Sequence, residues 1–374
     1  MKVLLCTFTV GEGLNKICSA LAEQLTKLDI ENEIFDVFKD NKKMQFSISK
    51  RYYNLVKIFP RTLRFFQNKL CRYDRKLKPK KPNYFVNQEV EPIKRIVSQK
   101  LQQGDYDVIF TPVVSIAIAL TQLKKQGITN AKIIYNIPDF NLPINIEQLK
   151  DIDYIITDCE EQEKTLLDFG FDKSQLVMNK IPIAEKFLTS QPKDVVRKEL
   201  GLEDKFTVLI MSGGYGAESN LKVLKTFVRY NSNIQYIVVN GRNKKEFDKI
   251  NNYIQKNNIK NVLNLGFCTY VDKLMTVADV LYTKVGAATL CESFAKNLII
   301  VTKKQLLYPE YANLKHLKNH NSALECKNLK ACAKTINKIQ NNEINLNEIQ
   351  TNLKNILNTN SAQLTANLII QLKK

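Results

Sequence analysis

The sequence predicts an α/β protein made of two doubly wound domains, each a parallel sheet covered by helices on both faces. Three observations carry that reading. At 374 residues the chain is too long for one typical core, so two domains of ordinary size are the natural expectation. Short apolar runs alternate with amphipathic ones along most of its length, the pattern of parallel strands linked by helices. The segment 181–193 carries Pro182 and Pro192 and separates two such alternating series, so it reads as a linker. The expected domains are 1–185 and 186–374, the second ending in a helical tail.

Each element has its own signal. Residues 3–9 are apolar and run into a glycine turn. They could start a signal peptide, but no small-residue cleavage site follows, so they read as the first strand. An amphipathic helix is expected over 14–28 and a strand over 33–38. Beyond a basic insert come a helix over 90–101, a buried strand over 108–110 and a helix over 115–125. Strands over 132–135 and 154–157, a helix over 160–169 and a short strand near 175–178 complete the first series. In the second, strands are expected over 206–211, 235–239, 262–265, 280–282 and 298–301, with helices between them. The tail from Asn328 is rich in Asn and Lys but keeps Ile and Leu at helical spacing, so it reads as helices, not disorder.

Composition narrows the class. With 44% hydrophobic and 25% charged residues the chain is globular. Its longest apolar stretch, 108–120, is too short to span a bilayer and is interrupted by Thr111, Pro112 and Ser115. The eight cysteines form no Cys-x-x-Cys pair and fall mostly in apolar segments, which fits reduced thiols in a cytoplasmic protein. His316 and His320 are spaced i, i+4, but no third ligand lies nearby in sequence, which argues against a metal site.

The net charge of +19 is concentrated. Residues 42–81 hold fourteen Lys or Arg against one acid, Asp74, interleaved with Phe46, Tyr52, Tyr53, Phe59, Phe65, Phe66 and Tyr73. Three readings fit: an amphipathic segment on an anionic membrane surface, a nucleic-acid stripe, or a solvated basic helix pair with its aromatics in the core. The membrane reading is favoured over nucleic acid, because the apolar residues cluster at 55–59 and 63–66, which suits insertion better than base stacking. Tyr53, Lys57, Phe59, Arg61, Arg64, Phe65 and Phe66 are the expected contacts.

Four loops that follow predicted strands carry the chemistry. After the first strand, Thr9-Val-Gly11-Glu12-Gly13-Leu14-Asn15 allows tight backbone at a helix start. After the first strand of the second series, Ser212-Gly213-Gly214-Tyr215-Gly216 makes an anion cradle but lacks the Lys-Ser/Thr of a nucleotide-hydrolysing P-loop. The third is Asn240-Gly241-Arg242-Asn243. The fourth is Thr283-Lys-Val-Gly286-Ala287-Ala288-Thr289-Leu-Cys-Glu292, where Thr289 is expected to cap a helix and Glu292 to complete a capping box. There, small residues admit a phosphate, and a carboxylate one turn in can hold ribose hydroxyls. An ordinary capped strand–helix turn fits that loop equally well; three glycine loops in one domain, each after a predicted strand, favour a nucleotide.

In this order, with Gly266-Phe267, Leu274-Met275 and Ala278-Asp279 between the third and fourth loops, the motifs resemble those of the monogalactosyldiacylglycerol synthases and processive diacylglycerol glycosyltransferases. These are GT-B enzymes related to the peptidoglycan-precursor N-acetylglucosaminyltransferases. The insert residues Tyr53-x-x-x-Lys57-x-x-Pro60-x-x-Leu63 match the family pattern too. The resemblance covers most of 1–321 and is most specific in the second domain. It implies two Rossmann-like domains facing each other across a cleft. It also implies inverting, metal-independent transfer of glucose or galactose from a UDP-sugar to diacylglycerol or a glycolipid. The enzyme would be cytoplasmic and peripheral on the inner face of the cell membrane, with no nucleic-acid partner.

Position by position, the resemblance implies that Gly213, Gly214 and Gly216, with Gly286, Ala287 and Thr289, face the diphosphate. Glu292 would hold the ribose, Phe267 the uracil, and Glu310 and Asn313 the sugar. Gly11, Gly13 and Asn15 would form an acceptor or phosphate loop. The chain also departs from the family. Leu14 occupies the position of a His that is a candidate for acceptor handling or proton transfer, so Glu12 and Asp139 become the candidate bases. The usual Pro-Gly-Gly reads Val285-Gly286-Ala287, and Gln-Glu reads Pro309-Glu310. These departures leave two further readings: a degenerate relative that binds nucleotide or membrane without turnover, and N-acetylglucosaminyl transfer to a lipid-linked acceptor.

Overall fold

The computed structural model describes residues 1–9, 12–39, 84–143, 145–189, 191–211, 219–305, 309–356 and 360–372, with residues 84–88 as backbone alone. The predicted membrane contacts Tyr53, Lys57, Phe59, Arg61, Arg64, Phe65 and Phe66 lie outside them, as do Gly11, Gly213, Gly214 and Gly216.

The chain folds as two compact units. One comprises Met1–Ala184, Leu307–Pro309 and Asn358–Lys374, the other Glu185–Leu306 and Glu310–Leu357. The first unit holds a six-stranded sheet in the order β2-β1-β3-β4-β5-β6. Its strands are β1 (Lys2–Thr7), β2 (Glu31–Asp36), β3 (Val108–Thr111), β4 (Lys132–Asn136), β5 (Tyr154–Ile156) and β6 (Leu176–Val177). Every pairing is parallel. Helices α1 (Glu12–Lys27), α2 (Tyr84–Leu101), α3 (Val114–Lys125) and α4 (Glu160–Asp168) connect the strands. Strand β3 reads Val-Ile-Phe-Thr and is buried at every residue, as a strand covered on both faces must be. On α1, Ile17, Leu21 and Leu25 recur every four residues and face the core.

The second unit repeats the plan in the order β12-β11-β10-β7-β8-β9, again parallel throughout. Its strands are β7 (Thr207–Met211), β8 (Gln235–Val239), β9 (Val262–Leu265), β10 (Val280–Thr283), β11 (Ile299–Lys303) and β12 (Leu324–Cys326). The helices are α5 (Lys193–Glu199), α6 (Asn220–Tyr230), α7 (Lys244–Lys256), α8 (Val271–Val277), α9 (Ala287–Ala295), α10 (Glu310–Asn319), α11 (Leu329–Gln340) and α12 (Asn347–Ile356). In the core, Phe227 of α6 meets Tyr282 of β10 edge to face, with ring centroids 5.2 Å apart. Truncating such a buried ring to Ala costs about 3–5 kcal/mol.

Strand order fixes where each sheet reverses direction of build-up. In the first unit this switch lies between β1 and β3; in the second it lies between β7 and β10. Ligands of doubly wound sheets bind beyond the carboxyl ends of the strands at such a switch. Asp279 secures the second one. Its carboxylate accepts from the Thr207 amide (2.7 Å) and from Lys193 Nζ (2.6 Å), which ties the starts of β7 and β10 to α5.

Some expectations need correction. Strand β12, three residues long, is not among the expected strands, whereas β6 falls within the short strand expected near 175–178. The tail does not remain with the second unit: helix α13 (Ser361–Gln371) packs on α1 of the first. The seven described cysteines are free thiols. Among the described residues no helix is long and apolar enough to cross a membrane.

Candidate active site

Of the donor candidates, Gly286, Ala287, Thr289 and Glu292 lie just beyond β10, at the β7/β10 switch, while Phe267 follows β9, the edge strand two places away. Thr283 ends β10 in register with Met211, the last residue of β7, so the loops after these two strands begin side by side. The 212–218 loop is outside the described residues. The β10 loop continues through Lys284, Val285 and Gly286 into α9. Here the capping prediction is corrected. Gly286 is the N-cap (φ −70°, ψ 133°), the helix starts at Ala287, and the N-cap residue has no side chain with which to cap it. Thr289 is the third helical residue, so it cannot form a capping box with Glu292, which lies a turn further on. The expected signal failed because it marks side chains that accept first-turn N–H groups, and a Gly N-cap has none to offer. The first-turn N–H groups of Ala287, Ala288 and Thr289 precede the intrahelical bond pattern, whose first donor is the Leu290 amide to the Gly286 carbonyl (3.0 Å). They form a positive helix terminus at the switch. Glu292 is only 4% exposed, an unusual position for a carboxylate in a non-polar helix segment.

The Asn240-Gly241-Arg242-Asn243 motif resolves into four jobs. Asn240 is buried; its Nδ2 donates to Asn264 Oδ1 (2.7 Å) and the Leu265 carbonyl (3.0 Å), and its Oδ1 accepts from Asn220 Nδ2 (2.9 Å). That amide cluster joins β8, β9 and the start of α6. Gly241 has φ +56°, the left-handed region where glycine carries no penalty. The Arg242 guanidinium lies 4.9 Å from the centroid of the Phe267 ring. Asn243 caps α7 by accepting from the Glu246 amide (3.1 Å). Glu246 in turn accepts from Ser219 Oγ (2.6 Å) and the Leu221 amide (3.0 Å), which anchors the chain as it leaves the 212–218 loop. Phe267 is 58% exposed, so a ring held over a cation is presented to solvent just beyond β9, two strands from the switch. Arg242, Asn240 and Glu246 were not singled out from the sequence as site residues, although the motif itself was noticed.

Glu310 and Asn313, expected to touch the sugar, both engage the β10 loop. Lys284 Nζ lies 2.7 Å from Glu310 Oε1, and Asn313 Nδ2 donates to the Val285 carbonyl at 3.2 Å. His316 and His320 lie against one another with their rings tilted by 41°, centroids 4.3 Å apart and His320 Nδ1 2.9 Å from the His316 carbonyl oxygen.

In the first unit the predicted acceptor residues lie along the carboxyl edge of the sheet. Glu12 and Gly13 open α1, which follows β1, and both are half-buried. Asn15 is not offered freely to a ligand. Its Oδ1 accepts from Thr7 Oγ1 (2.9 Å), and its Nδ2 donates to Thr9 Oγ1 (3.0 Å), which itself donates to Asp36. Asn15 and Asp36 thus hold Thr9, at the end of the described chain before α1. Leu14 packs against the core. Asp139 lies in the loop after β4, half-buried. Its carbonyl accepts from Gln162 Nε2 (2.7 Å), and Gln162 Oε1 accepts from the Asp158 amide (2.8 Å), so a buried glutamine tethers the loop to the end of β5. The Asp139 carboxylate faces Tyr135, whose buried hydroxyl is held well above the usual phenol range, chiefly by burial. Strand β3 separates β1 from β4, so Glu12 and Asp139 are on the same sheet edge but about two strand spacings, roughly 10 Å, apart in the sheet.

Two doubly wound units of this kind in one chain define the GT-B fold. Solved structures agree. The chain superposes on MurG of Acinetobacter baumannii with a TM-score of 0.62 at 14% identity, covering 99% of each chain. It superposes on Anabaena Alr3699/HepE in complex with UDP and glucose with a TM-score of 0.54 at 12% identity, covering 100% of this chain and 97% of that one. No protein-family model matches the chain. Among curated proteins it is similar to the processive diacylglycerol beta-glucosyltransferase of Bacillus licheniformis, 23% identical over 381 residues, covering 99% of this chain and 94% of that protein.

Proposed function

We propose that this chain is an inverting glycosyltransferase that moves a hexose, glucose before galactose, from a UDP-sugar to diacylglycerol or a glycolipid. The observation that carries this reading is the β7/β10 switch, where a helix terminus opened by a glycine N-cap is followed one turn later by a buried carboxylate, with an exposed aromatic beyond β9 of the same unit. The near full-length likeness to a diacylglycerol glucosyltransferase supports the lipid acceptor. The α9 terminus would meet the charge that grows on UDP as the glycosidic bond breaks, which is the task a metal performs in other transferases. No metal is therefore required in this reading. Glu292 would accept the ribose hydroxyls, and Phe267 would stack on uracil. Gly213, Gly214 and Gly216 would complete the diphosphate cradle.

The acceptor hydroxyl attacks the anomeric carbon from the face opposite UDP and gives its proton to a carboxylate. Asp139 is favoured over Glu12, because its loop is fixed through Gln162. The basic segment 42–81 would hold the enzyme on an anionic membrane, at the inner face of the cell membrane. A degenerate relative remains a second reading on one specific observation: Leu14 is packed against the core and cannot carry a proton. Incubation with labelled UDP-glucose, UDP-galactose or UDP-N-acetylglucosamine and diacylglycerol liposomes tests the proposal. Labelled glycolipid from UDP-glucose is expected. UDP binding without lipid labelling by any donor would favour the second reading, and absence of both would refute the donor site.

A further inference from the structure

We propose that Asn313 is a positioning residue. Its carboxamide holds Val285 in a left-handed backbone conformation, and that conformation sets the start of α9. The inference rests on the donor-site reading above but goes beyond it, since it assigns Asn313 to the loop instead of the sugar.

Val285 has φ +59° and is fully buried. The left-handed region is a genuine outlier for a β-branched residue, because Cβ crowds the following carbonyl. Among the described residues seven other non-glycine residues have positive φ; six are Asn or Asp, which accept it far more readily, and the seventh is Lys180, which is not β-branched. A strained conformation persists only where the surroundings over-determine it. Here the restraint is identifiable. Asn313 Nδ2 donates to the Val285 carbonyl at 3.2 Å, and Asn313 is itself fully buried. One residue earlier, Lys284 pairs with Glu310 at 2.7 Å. Glu310 and Asn313 stand one turn apart on α10 and so share a face. Helix α10 therefore grips two consecutive residues of the loop. The residue after them, Gly286, is the N-cap from which the first-turn N–H groups of α9 are presented. If Val285 relaxed to an ordinary negative φ, the chain would leave β10 in another direction, and those N–H groups would lose their common aim.

Glycine adopts φ near +60° without this penalty. If Asn313 acts through Val285, the Val285→Gly chain should need Asn313 much less. The experiment is a double-mutant cycle on the full chain with UDP as the probe, read by calorimetry. Asn313→Asp keeps the size and removes the donor. It should weaken UDP binding about tenfold in the parent, but twofold or less in the Val285→Gly background. With UDP-glucose, the donor KM should rise while the acceptor KM stays unchanged. Equal losses in the two backgrounds, or no loss in the parent, would overturn the proposal. Amide hydrogen exchange of residues 286–290 in the ligand-free protein provides a readout that does not depend on UDP. Exchange should quicken about tenfold in Asn313→Asp and return towards the parent rate when Val285→Gly is added. Unaltered exchange would refute the positioning role even if UDP binds. A parent chain that binds no UDP would refute the donor reading, and the exchange result would still decide this one.

Discussion

Replacing Asp158 by Asn should make the protein more stable above pH 6 and leave it nearly unchanged near pH 4. Asp158 follows β5 at the carboxyl edge of the first sheet and is 4% exposed. Burial pushes its carboxyl up to about 6, against the opposing pull of nearby Lys180 and of the Ile181 amide, which donates to Oδ1 at 3.1 Å. A carboxyl raised in the folded state binds its proton more tightly there than in the unfolded chain. Its contribution to stability is therefore fully present below the unfolded value of 3.8 and is lost as pH rises through about 6. A gap of this size corresponds to about 3 kcal/mol between the two ends of the window. Asparagine stays neutral throughout and can still accept the Ile181 amide. The assay is urea unfolding of both chains at intervals from pH 4 to pH 8. Carboxylates shifted the other way, such as Asp153 beside Lys124, titrate in both proteins and cancel in the difference. A difference that stays constant across that range would refute the reasoning.

Other predictions address the proposed site and its frame. Glu292→Gln should weaken UDP binding by about tenfold in calorimetry, in line with about 1–3 kcal/mol for a hydrogen bond to a charged group; unchanged affinity would remove Glu292 from the site. Phe267→Ala should lower affinity for UDP to a similar extent, through loss of about 1–3 kcal/mol of base stacking, and equal affinity for UDP in the two proteins would argue against a uracil platform. Asn240→Leu should destabilise the fold by about 2–4 kcal/mol in urea unfolding, because Asn220 Nδ2 and Asn264 Oδ1 lose a buried partner. Sedimentation with anionic vesicles should fall steeply with salt, as the screening length drops from about 10 Å at 0.1 M to about 3 Å at 1 M, and binding indifferent to salt or to lipid charge would exclude the basic segment as the anchor.

The doubly wound plan was legible because its strands are buried on both faces and so read as short apolar runs: β3, β4, β8 and β10 need no context to be found. Glycine loops after strands were equally plain. What local pattern could not supply were partners distant in sequence. Asn313 looked like a sugar contact because nothing near it in the chain shows that its amide meets Val285, 28 residues away. Nothing near Asn15 in the chain shows that its carboxamide bridges Thr7 and Thr9, the latter held in turn by Asp36 from the next strand. Thr289 reads as a cap from the sequence, yet the helix begins two residues earlier, at Ala287, on small residues whose own signal is weak. The motif Asn240–Asn243 drew attention as a possible binding loop, yet three of its four residues are there for the turn, the cap and the buried amide cluster.

Helix α13 has a consequence for how the chain can be made and divided. Its buried residues Ser361, Ala362, Thr365, Ala366 and Ile369 belong to a helix packed on α1, more than three hundred residues upstream. On a ribosome, the first sheet can assemble long before the helix that covers part of its α1 layer has been synthesised. The second unit must fold while that surface waits, which leaves a period in which a chaperone or the wrong neighbour could occupy it. The same circuit means that cutting the chain once, between Ala184 and Glu185, does not yield two whole units: the downstream fragment carries away a piece of the upstream one. A split version that restores activity should need α13 supplied with residues 1–184, and a fragment ending at 184 should be recovered chiefly as aggregate.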